Sequence, residues 1–185
     1  SFGKHVLTPT LALTSVAGAT PPGWDVALHD ENLLQALPPH EPFPSVVGII
    51  DRLAEISDFF SIGTNDFVQY MLAVDRGNPN VSELSVTHHP AVLRALKLIA
   101  AAAIRHGKPV SICGEMGREP RYIPFLVGIG LRTLSLEPSH IPTAQQLISR
   151  FTVAQCEQYA RDMLACDYIA DIEGVIDAFE TDVFG

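Results

Sequence analysis

The feature that most constrains the fold is an alternation between short apolar segments and longer stretches with helical periodicity. Three segments predict buried strands, namely Asp58–Ile62, Pro109–Cys113 and Leu131–Leu136. Apolar residues recur at helical spacing between and beyond them, most clearly over His89–His106, where a glycine and a proline end the pattern. Strands that alternate with helices are typical of an α/β fold with a parallel sheet, which is the fold class we predict.

The same spacing predicts further helices over Arg52–Ser57, Phe67–Val74, Pro120–Val127, Ala144–Ser149 and Ile169–Phe179. Thr152 and Gln155 form a capping-box pattern, which predicts a helix that runs from there to about Cys166. Ser45–Ile50 is apolar and β-branched, and it fits either a strand or the start of a helix. A strand is predicted at Trp24–Asp30, and loops are predicted at Leu37–Pro44 and Val81–Thr87.

Composition limits the classes of partner. A formal net charge of −9 argues against a nucleic-acid-binding surface, although a local group of cations or a metal can still bind an anionic substrate. Three cysteines without CxxC spacing argue against a disulfide framework or a zinc site and fit a reducing cytosol. The longest apolar stretches, Leu98–Ile104 and Ile123–Ile129, are far shorter than the roughly 20 residues that span a bilayer. We therefore expect a cytoplasmic protein that binds neither nucleic acid nor membrane.

Polar residues follow the first predicted strand where it ends, in the run Ser61–Asp66. The carboxyl ends of strands are where α/β folds place their sites. Asp66 offers a hard oxygen ligand suited to Mg²⁺, and Asn65 can donate to a phosphate or carboxylate oxygen. The alternative is that Asn65 and Asp66 only cap the helix that follows.

Two further positions can carry chemistry. Arg76 can fork two hydrogen bonds onto a phosphate or carboxylate, or it can belong to a solvated surface pair with Asp75. Cys113 ends the second predicted strand before a glycine, and it can face a pocket as an acid or nucleophile or be an inert buried thiol. The adjacent His88 and His89 do not share a helix face, so a helix cap or a solvated loop is the better interpretation.

Several uncommon sequence motifs occur in a fixed order along the chain: Asp58–Asp66 (DFFSIGTND), Gln69-Tyr70, Leu72–Asn78 (LAVDRGN) and Cys113-Gly-Glu115. Together they resemble the phosphoenolpyruvate-utilising family, and most closely enzyme I of the bacterial sugar phosphotransferase system and its nitrogen-related paralogue. The family fold is a (β/α)₈ TIM barrel. The resemblance thus implies that residues 45–185 form the last βα units of an incomplete barrel plus C-terminal helices.

The resemblance also implies a substrate-binding set, which is Asn65, Asp66, Arg76, Gly114 and Glu115. Within that set, Asp66 matches the Mg²⁺-binding aspartate, Asn65 the residue that contacts the substrate phosphate, and Arg76 one of the arginines that clamp phosphoenolpyruvate. Cys113 matches the cysteine that protonates the enolate carbon as pyruvate forms, and it is the implied catalytic residue. The implied function is phosphoryl transfer from phosphoenolpyruvate to an enzyme histidine and on to a phosphocarrier protein.

The sequence departs from the family at its second metal ligand. That glutamate falls at position 42, where this chain has Pro42, and Glu41 lies one residue away. A one-residue shift at a strand end turns the side chain to the other face of the sheet. The earlier barrel strands and the domain with the phosphorylatable histidine are not matched. We therefore expect weak or absent activity from this chain alone, and the alternative function is a non-catalytic dimerisation or regulatory module, with a homodimer as its product.

Residues 1–44 resemble a different family. Ser1–Lys4 (SFGK), Thr20–Val26 (TPPGWDV) and His29–Leu34 (HDENLL) are similar to the start of the Rossmann-like cobalamin-binding domain of B12-dependent radical SAM enzymes. The word Val46–Ile49 fits both resemblances, so we expect a chimeric chain joined near Pro44–Ile49. No CxxxCxxC cluster site is present, so radical chemistry is not expected, and a cobalamin-binding fragment is the weakest alternative.

Overall fold

The computed structural model describes residues 46–184, and the elements in that range are numbered here in chain order. They are α1 (Val46–Ile56), β1 (Phe60–Gly63), α2 (Thr64–Met71), α3 (Pro90–Arg105), β2 (Val110–Cys113), α4 (Glu115–Arg118), α5 (Ile123–Gly128), β3 (Thr133–Ser135), α6 (Ile141–Ile148), α7 (Val153–Ala165) and α8 (Ile169–Phe184). The strand predicted at 24–30, the loop at 37–44 and position 42 lie outside the described residues.

The three strands form one parallel sheet in the order β1-β2-β3, which confirms the predicted α/β class. Gly63 of β1 lies opposite Cys113 of β2, and Cys113 lies opposite Ser135 of β3. Because parallel strands end at the same edge of a sheet, these three residues form one row at the carboxyl edge. The segments that follow β1 and β2 leave the sheet side by side.

The two faces of the sheet differ in character. Ile62 and Ile112 are buried, and the half-buried Leu134 joins them in a row that packs into the apolar core beneath α3, α5 and α7. Side chains alternate along a strand, so Ser61 and Ser111 point to the opposite face. There the Ser111 hydroxyl donates to the Ser61 hydroxyl at 3.4 Å. One face therefore supplies the core, while the other carries a polar row.

Helix α5 packs closely against α7, and Gly128 permits the approach. A Cβ at this position would collide with the backbone oxygen of Cys156 and would lie 2.8 Å from the Cβ of Ala160. Cys156 is fully buried in α7, and burial raises the pKa of its thiol to about 11. The tight crossing seals this side of the core.

Helix α2 differs from its predicted bounds. It begins at Thr64 rather than Phe67 and ends at Met71 rather than Val74. The chain leaves the helix because Ala73 adopts a φ of 53°, in the left-handed region that cannot continue a right-handed helix.

Some of the other secondary-structure predictions are confirmed, and others differ from the structure. The ambiguous segment at 45–50 is helical from Val46, and the predicted loop at 81–87 contains a 3-10 turn at Ser82–Leu84. Helix α4 was not predicted, since four residues carry no periodicity, and β3 is shorter than its predicted span. The capping box is confirmed: Thr152 Oγ1 accepts from the Gln155 backbone at 3.3 Å, and the Thr152 backbone donates to Gln155 Oε1 at 2.8 Å.

Replacing Gly128 tests the helix crossing. Gly128→Ala is expected to lower the free energy of unfolding by about 1–3 kcal/mol, because the added methyl group overpacks a closed contact. Gly174→Ala in α8 is the matched control, since no atom lies within 4 Å of a Cβ there. Alanine favours a helix by about 1 kcal/mol over glycine, so the control chain should be at least as stable as the original. Urea unfolding measures both, and equal losses would contradict the proposed contact.

Candidate active site at the carboxyl edge of the sheet

Two consecutive residues at the start of α2 tie the ends of β1 and β2 together. The Thr64 hydroxyl donates to the Cys113 carbonyl at 3.0 Å and accepts from the Met116 backbone N–H at 3.4 Å. The Asn65 side-chain oxygen accepts from the Glu115 backbone N–H at 2.9 Å. The first turns of α2 and α4 are therefore held in a fixed relation.

Gly114 stands at the centre of this link and has to be glycine for two reasons. Its φ of +100° lies in the left-handed region that side chains disfavour. A Cβ there would also collide with the Thr64 hydroxyl oxygen and lie 3.0 Å from the Asn65 side-chain oxygen. Any larger residue would separate the two strand ends.

The capping interpretation of Asn65 and Asp66 is wrong. The residue at the N-cap of α2 is Gly63, and no side chain caps this helix. Asn65 instead uses its oxygen across the strand ends, which leaves its Nδ2 group to donate to a ligand. Asp66 is exposed in the first helical turn, with its carboxylate directed to solvent and to Arg76.

A cleft of about 180 Å³, which we call cleft A, lies beside these residues. It is lined by Thr64, Asn65, Val68, Arg76, Ser82, Ser85, Thr87, Glu115 and Met116. Hydroxyl and amide groups dominate the lining, and Arg76 supplies a positive charge. The size and the donors suit a small anion such as a phosphorylated acid.

Arg76 has a partner that the sequence did not predict. Its Nη2 lies 3.9 Å from Asp66 Oδ1, whereas Asp75 accepts from the backbone of Gly77 at 2.8 Å. The side chains of Arg76 and Asp66 are 47% and 66% exposed, so the ion pair is weak and both groups are available for other partners.

A second cleft of about 190 Å³, cleft B, lies between the ends of β2 and β3. It is lined by Asn65, Gly114, Glu115, Arg118, Ser135, Leu136, Glu137 and His140. Arg118 Nη2 lies 3.2 Å from Glu115 Oε1, and His140 Nε2 lies 3.9 Å from Glu137 Oε2. Sequence analysis missed Arg118, Glu137 and His140. The strand-end rule applied to β3 would have found Glu137.

The predicted site residues do not all line the same cleft. Asn65 and Glu115 line both clefts, Arg76 lines cleft A, and Gly114 lines cleft B. Asp66 lines neither cleft and lies beside Arg76. Cys113 lines neither cleft either. It is half-buried on the polar face of the sheet, in the row between a glycine and a serine.

His88 is buried beside cleft A, so the solvated-loop interpretation is wrong for it, while His89 does cap α3 by accepting from the Ala91 backbone. The Nδ1 of His88 lies 2.9 Å from the Tyr122 hydroxyl. Its Nε2 is 3.6 Å from Glu173 Oε1, which is longer than a hydrogen bond. Burial lowers the pKa of His88, although Glu173 opposes the shift.

These contacts anchor the segment that forms one wall of cleft A. Thr87 lines the cleft directly before His88, and Arg76 lies earlier in the same connection between α2 and α3. Tyr122 precedes α5 and Glu173 belongs to α8. Burial raises the pKa of the Tyr122 hydroxyl to about 12, so it stays protonated and can donate to His88.

The charged groups of residues 46–184 include no cluster of three or more His, Cys, Asp or Glu side chains that could hold a metal ion. Asp66 offers a single exposed carboxylate next to cleft A. Mg²⁺ often keeps several waters and uses one or two carboxylates together with substrate phosphates. Asp66 therefore fits such an ion when a phosphate completes the coordination. None of the helices in the described part of the chain has the length and apolar character needed to cross a membrane.

Acidification is expected to destabilise the chain through His88. Its pKa is lowered from 6.5 in the folded state, so the unfolded state binds more protons just below pH 6.5. The free energy of unfolding should therefore fall as the pH decreases through this range. The Asp51 carboxyl, whose pKa Arg105 lowers from 3.8, loses its contribution only at lower pH.

Urea unfolding between pH 7.5 and 5 measures this effect. His88→Gln should remove part of the pH dependence. His140→Gln is the control, because the His140 side chain is 40% exposed. The free energy of unfolding of this variant should fall with pH as it does in the original chain. An identical pH profile for His88→Gln and the unmodified chain would exclude His88 as the source.

Known proteins are similar to this chain over 136 aligned residues. A multiphosphoryl transfer protein of Escherichia coli O6:H1 is 44% identical over that stretch, which covers 74% of this chain and 16% of the relative. The phosphoenolpyruvate-protein phosphotransferase of Borreliella burgdorferi is 39% identical, with 74% of this chain and 24% of that protein covered. The chain thus spans between about a sixth and a quarter of the length of these relatives.

The family described as "PEP-utilising enzyme, PEP-binding domain" matches residues 42–153. That range contains both clefts and every predicted site residue from Asn65 to Glu115. The match confirms the family resemblance that the sequence motifs indicated. The chain therefore belongs to the phosphoenolpyruvate-utilising enzymes and contains their phosphoenolpyruvate-binding domain.

Proposed function

We propose that this chain is the phosphoenolpyruvate-binding part of a phosphoenolpyruvate-protein phosphotransferase, with the substrate phosphate in cleft A. The observation that carries the proposal is the convergence of Asn65 and Arg76 on one cleft, with Asp66 beside it. The relatives are named as a multiphosphoryl transfer protein and a phosphoenolpyruvate-protein phosphotransferase, and both names describe phosphoryl transfer. A phosphocarrier protein is the acceptor partner that the proposal implies.

Each group has a definite part in phosphate binding. Arg76 forks onto two phosphate oxygens, and the Nδ2 group of Asn65 donates to a third. Asp66 holds Mg²⁺, which neutralises developing charge on the transferring phosphoryl group when bound. Glu115 supplies its backbone N–H to orient Asn65, and its side chain pairs with Arg118 at 3.2 Å.

Cys113 provides the proton that completes the reaction. The P–O bond of phosphoenolpyruvate breaks as the phosphoryl group passes to a histidine of the enzyme. The enolate that remains takes a proton at its methylene carbon from the Cys113 thiol, which yields pyruvate and a thiolate. The half-buried thiol lies on the polar face, in register with Gly63 and Ser135, and the proposal places the substrate carbon beside it.

The polar face also supports an incomplete (β/α)₈ barrel. In a barrel, one face of each strand is covered by helices and the other faces the interior. Here Ile62 and Ile112 lie on the face that the helices cover. Ser61 and Ser111 lie on the opposite face, which would be the interior of the barrel. Strands outside the described range would pair with β1 and β3 and bring the remaining substrate-binding groups. The boundary between this unit and the segment 1–44 is proposed near residue 44, close to where the family match begins.

Calorimetric titration with phosphoenolpyruvate tests the assignment of Asp66. With Mg²⁺ present, Asp66→Ala should weaken binding about tenfold or more, which corresponds to about 1.4 kcal/mol. Without Mg²⁺ the same change should leave binding unchanged or tighter, because it removes a carboxylate 3.9 Å from Arg76. Asp58→Ala is the control, since Asp58 is exposed before the opposite end of β1. No binding by the unmodified chain, or no effect of Asp66→Ala with Mg²⁺, would contradict the proposal.

Alkylation by bromopyruvate tests the placement of Cys113 next to the substrate. At ten times the dissociation constant, phosphoenolpyruvate with Mg²⁺ should slow modification of Cys113 about tenfold, because the ligand occupies most molecules. Cys166, half-buried after α7, is the internal control and should react at an unchanged rate. Peptide mass spectrometry separates the two sites. Equal protection of both cysteines, or protection of neither, would place Cys113 away from the ligand.

A further inference from the structure

We propose that Thr64 is a positioning residue whose hydroxyl sets the separation between the phosphate-binding Asn65 and the proton-donating Cys113. The inference rests on the function proposed above. Sequence analysis assigned Thr64 no role, although it belongs to the run Asp58–Asp66 and lines cleft A. Its importance follows from what it contacts.

The hydroxyl is buried and makes two hydrogen bonds. Thr64 is 1% exposed, so its side chain is almost fully removed from solvent. A hydroxyl has one hydrogen to donate and lone pairs to accept. Thr64 donates to the Cys113 carbonyl at 3.0 Å and accepts from the Met116 N–H at 3.4 Å. Both partners are backbone groups, one at the end of β2 and one in α4.

The two partners stand on either side of Gly114, which explains why a fixed link is needed. Glycine at a φ of +100° meets no steric cost, but it also provides no side chain to hold the turn. The Thr64 oxygen occupies the volume that a Cβ at 114 would fill. The hydroxyl thus restrains the turn through hydrogen bonds to one residue before Gly114 and one residue after it.

The bond from Glu115 to Asn65 completes the link. Residues 113, 115 and 116 are each tied to one of two consecutive residues at the start of α2. Asn65 lines both clefts, whereas Cys113 ends β2 in register with Gly63. A misplacement of about 1 Å can cost about a hundredfold in rate, so the reaction depends on this separation.

Substitution at Thr64 separates positioning from simple stability. Thr64→Val keeps the shape but removes the hydroxyl, Thr64→Ala removes it without a second branch, and Thr64→Ser retains it. Thr133→Val is the matched control, because Thr133 is exposed on β3. The readout is the rate at which iodoacetamide modifies Cys113, measured site by site with mass spectrometry.

The chain carries its own reference thiols. Cys156 is fully buried, so its modification reports global unfolding, and the half-buried Cys166 reports reagent activity. Thr64→Val and Thr64→Ala should speed modification of Cys113 relative to Cys166 about fivefold or more, with Cys156 still protected. Thr64→Ser and Thr133→Val should stay within about twofold of the unmodified chain.

Two results would overturn the inference. The first is an unchanged Cys113 rate in whichever hydroxyl-free variant keeps Cys156 protected, because a merely stabilising threonine would shift the unfolding midpoint and leave this rate alone. The second is a Thr64→Ser chain whose Cys113 rate rises as in Thr64→Ala. A chain that binds no phosphoenolpyruvate would refute the proposed function instead, and the iodoacetamide rates, which need no substrate, would still measure the link.

Discussion

Parallel pairing of β1 with β2 is the constraint on which the candidate site depends. It places Gly63 opposite Cys113 and sends the two following segments away from the same edge. In an antiparallel pair, these strand ends would lie at opposite edges of the sheet. The hydrogen bonds of Thr64 and Asn65 to the turn after β2 exist only because this register brings residues from distant parts of the chain within reach.

The site combines a buried framework with exposed charges. The Thr64 hydroxyl is buried and makes two hydrogen bonds, so removing it would break two contacts between the start of α2 and the residues on either side of Gly114. The Arg76–Asp66 and Arg118–Glu115 pairs are largely solvent-exposed and contribute little to stability. Geometric precision therefore comes from uncharged groups beneath the surface, while the charges above them remain free to exchange partners.

The sequence predicts this site only where the signal is local. A buried strand that ends in polar residues can be recognised from a few adjacent positions, and this rule located Asn65, Asp66 and Cys113. Helix α3 was equally clear because its apolar residues repeat over several turns, and its cap at His89 is confirmed. Recognition of the family words added Arg76, whose own neighbourhood in sequence says little about its role.

What the sequence did not predict depends on pairing between distant segments. Cleft B joins α4 to the segment after β3, and no sequence spacing reports that contact. The environment of His88 is set by Tyr122 and Glu173 from two later elements, so a histidine in a loop-like stretch gave no sign of burial. Helix α4 is too short for periodicity, and its orientation follows from the hydrogen bonds that Thr64 and Asn65 make.

The exposed pair between Arg76 and Asp66 links metal and phosphate binding in the proposed site. At 3.9 Å, each side chain partly neutralises the other. A phosphate that takes Arg76 leaves the Asp66 carboxylate beside another anion, which is unfavourable unless a cation binds there. A divalent cation on Asp66 in turn releases Arg76 for the phosphate. Each ligand thus improves the site for the other, and by linkage the two effects are equal in free energy. The ion pair between Arg76 and Asp66 is weak, so little stability is lost when it opens to bind the two ligands.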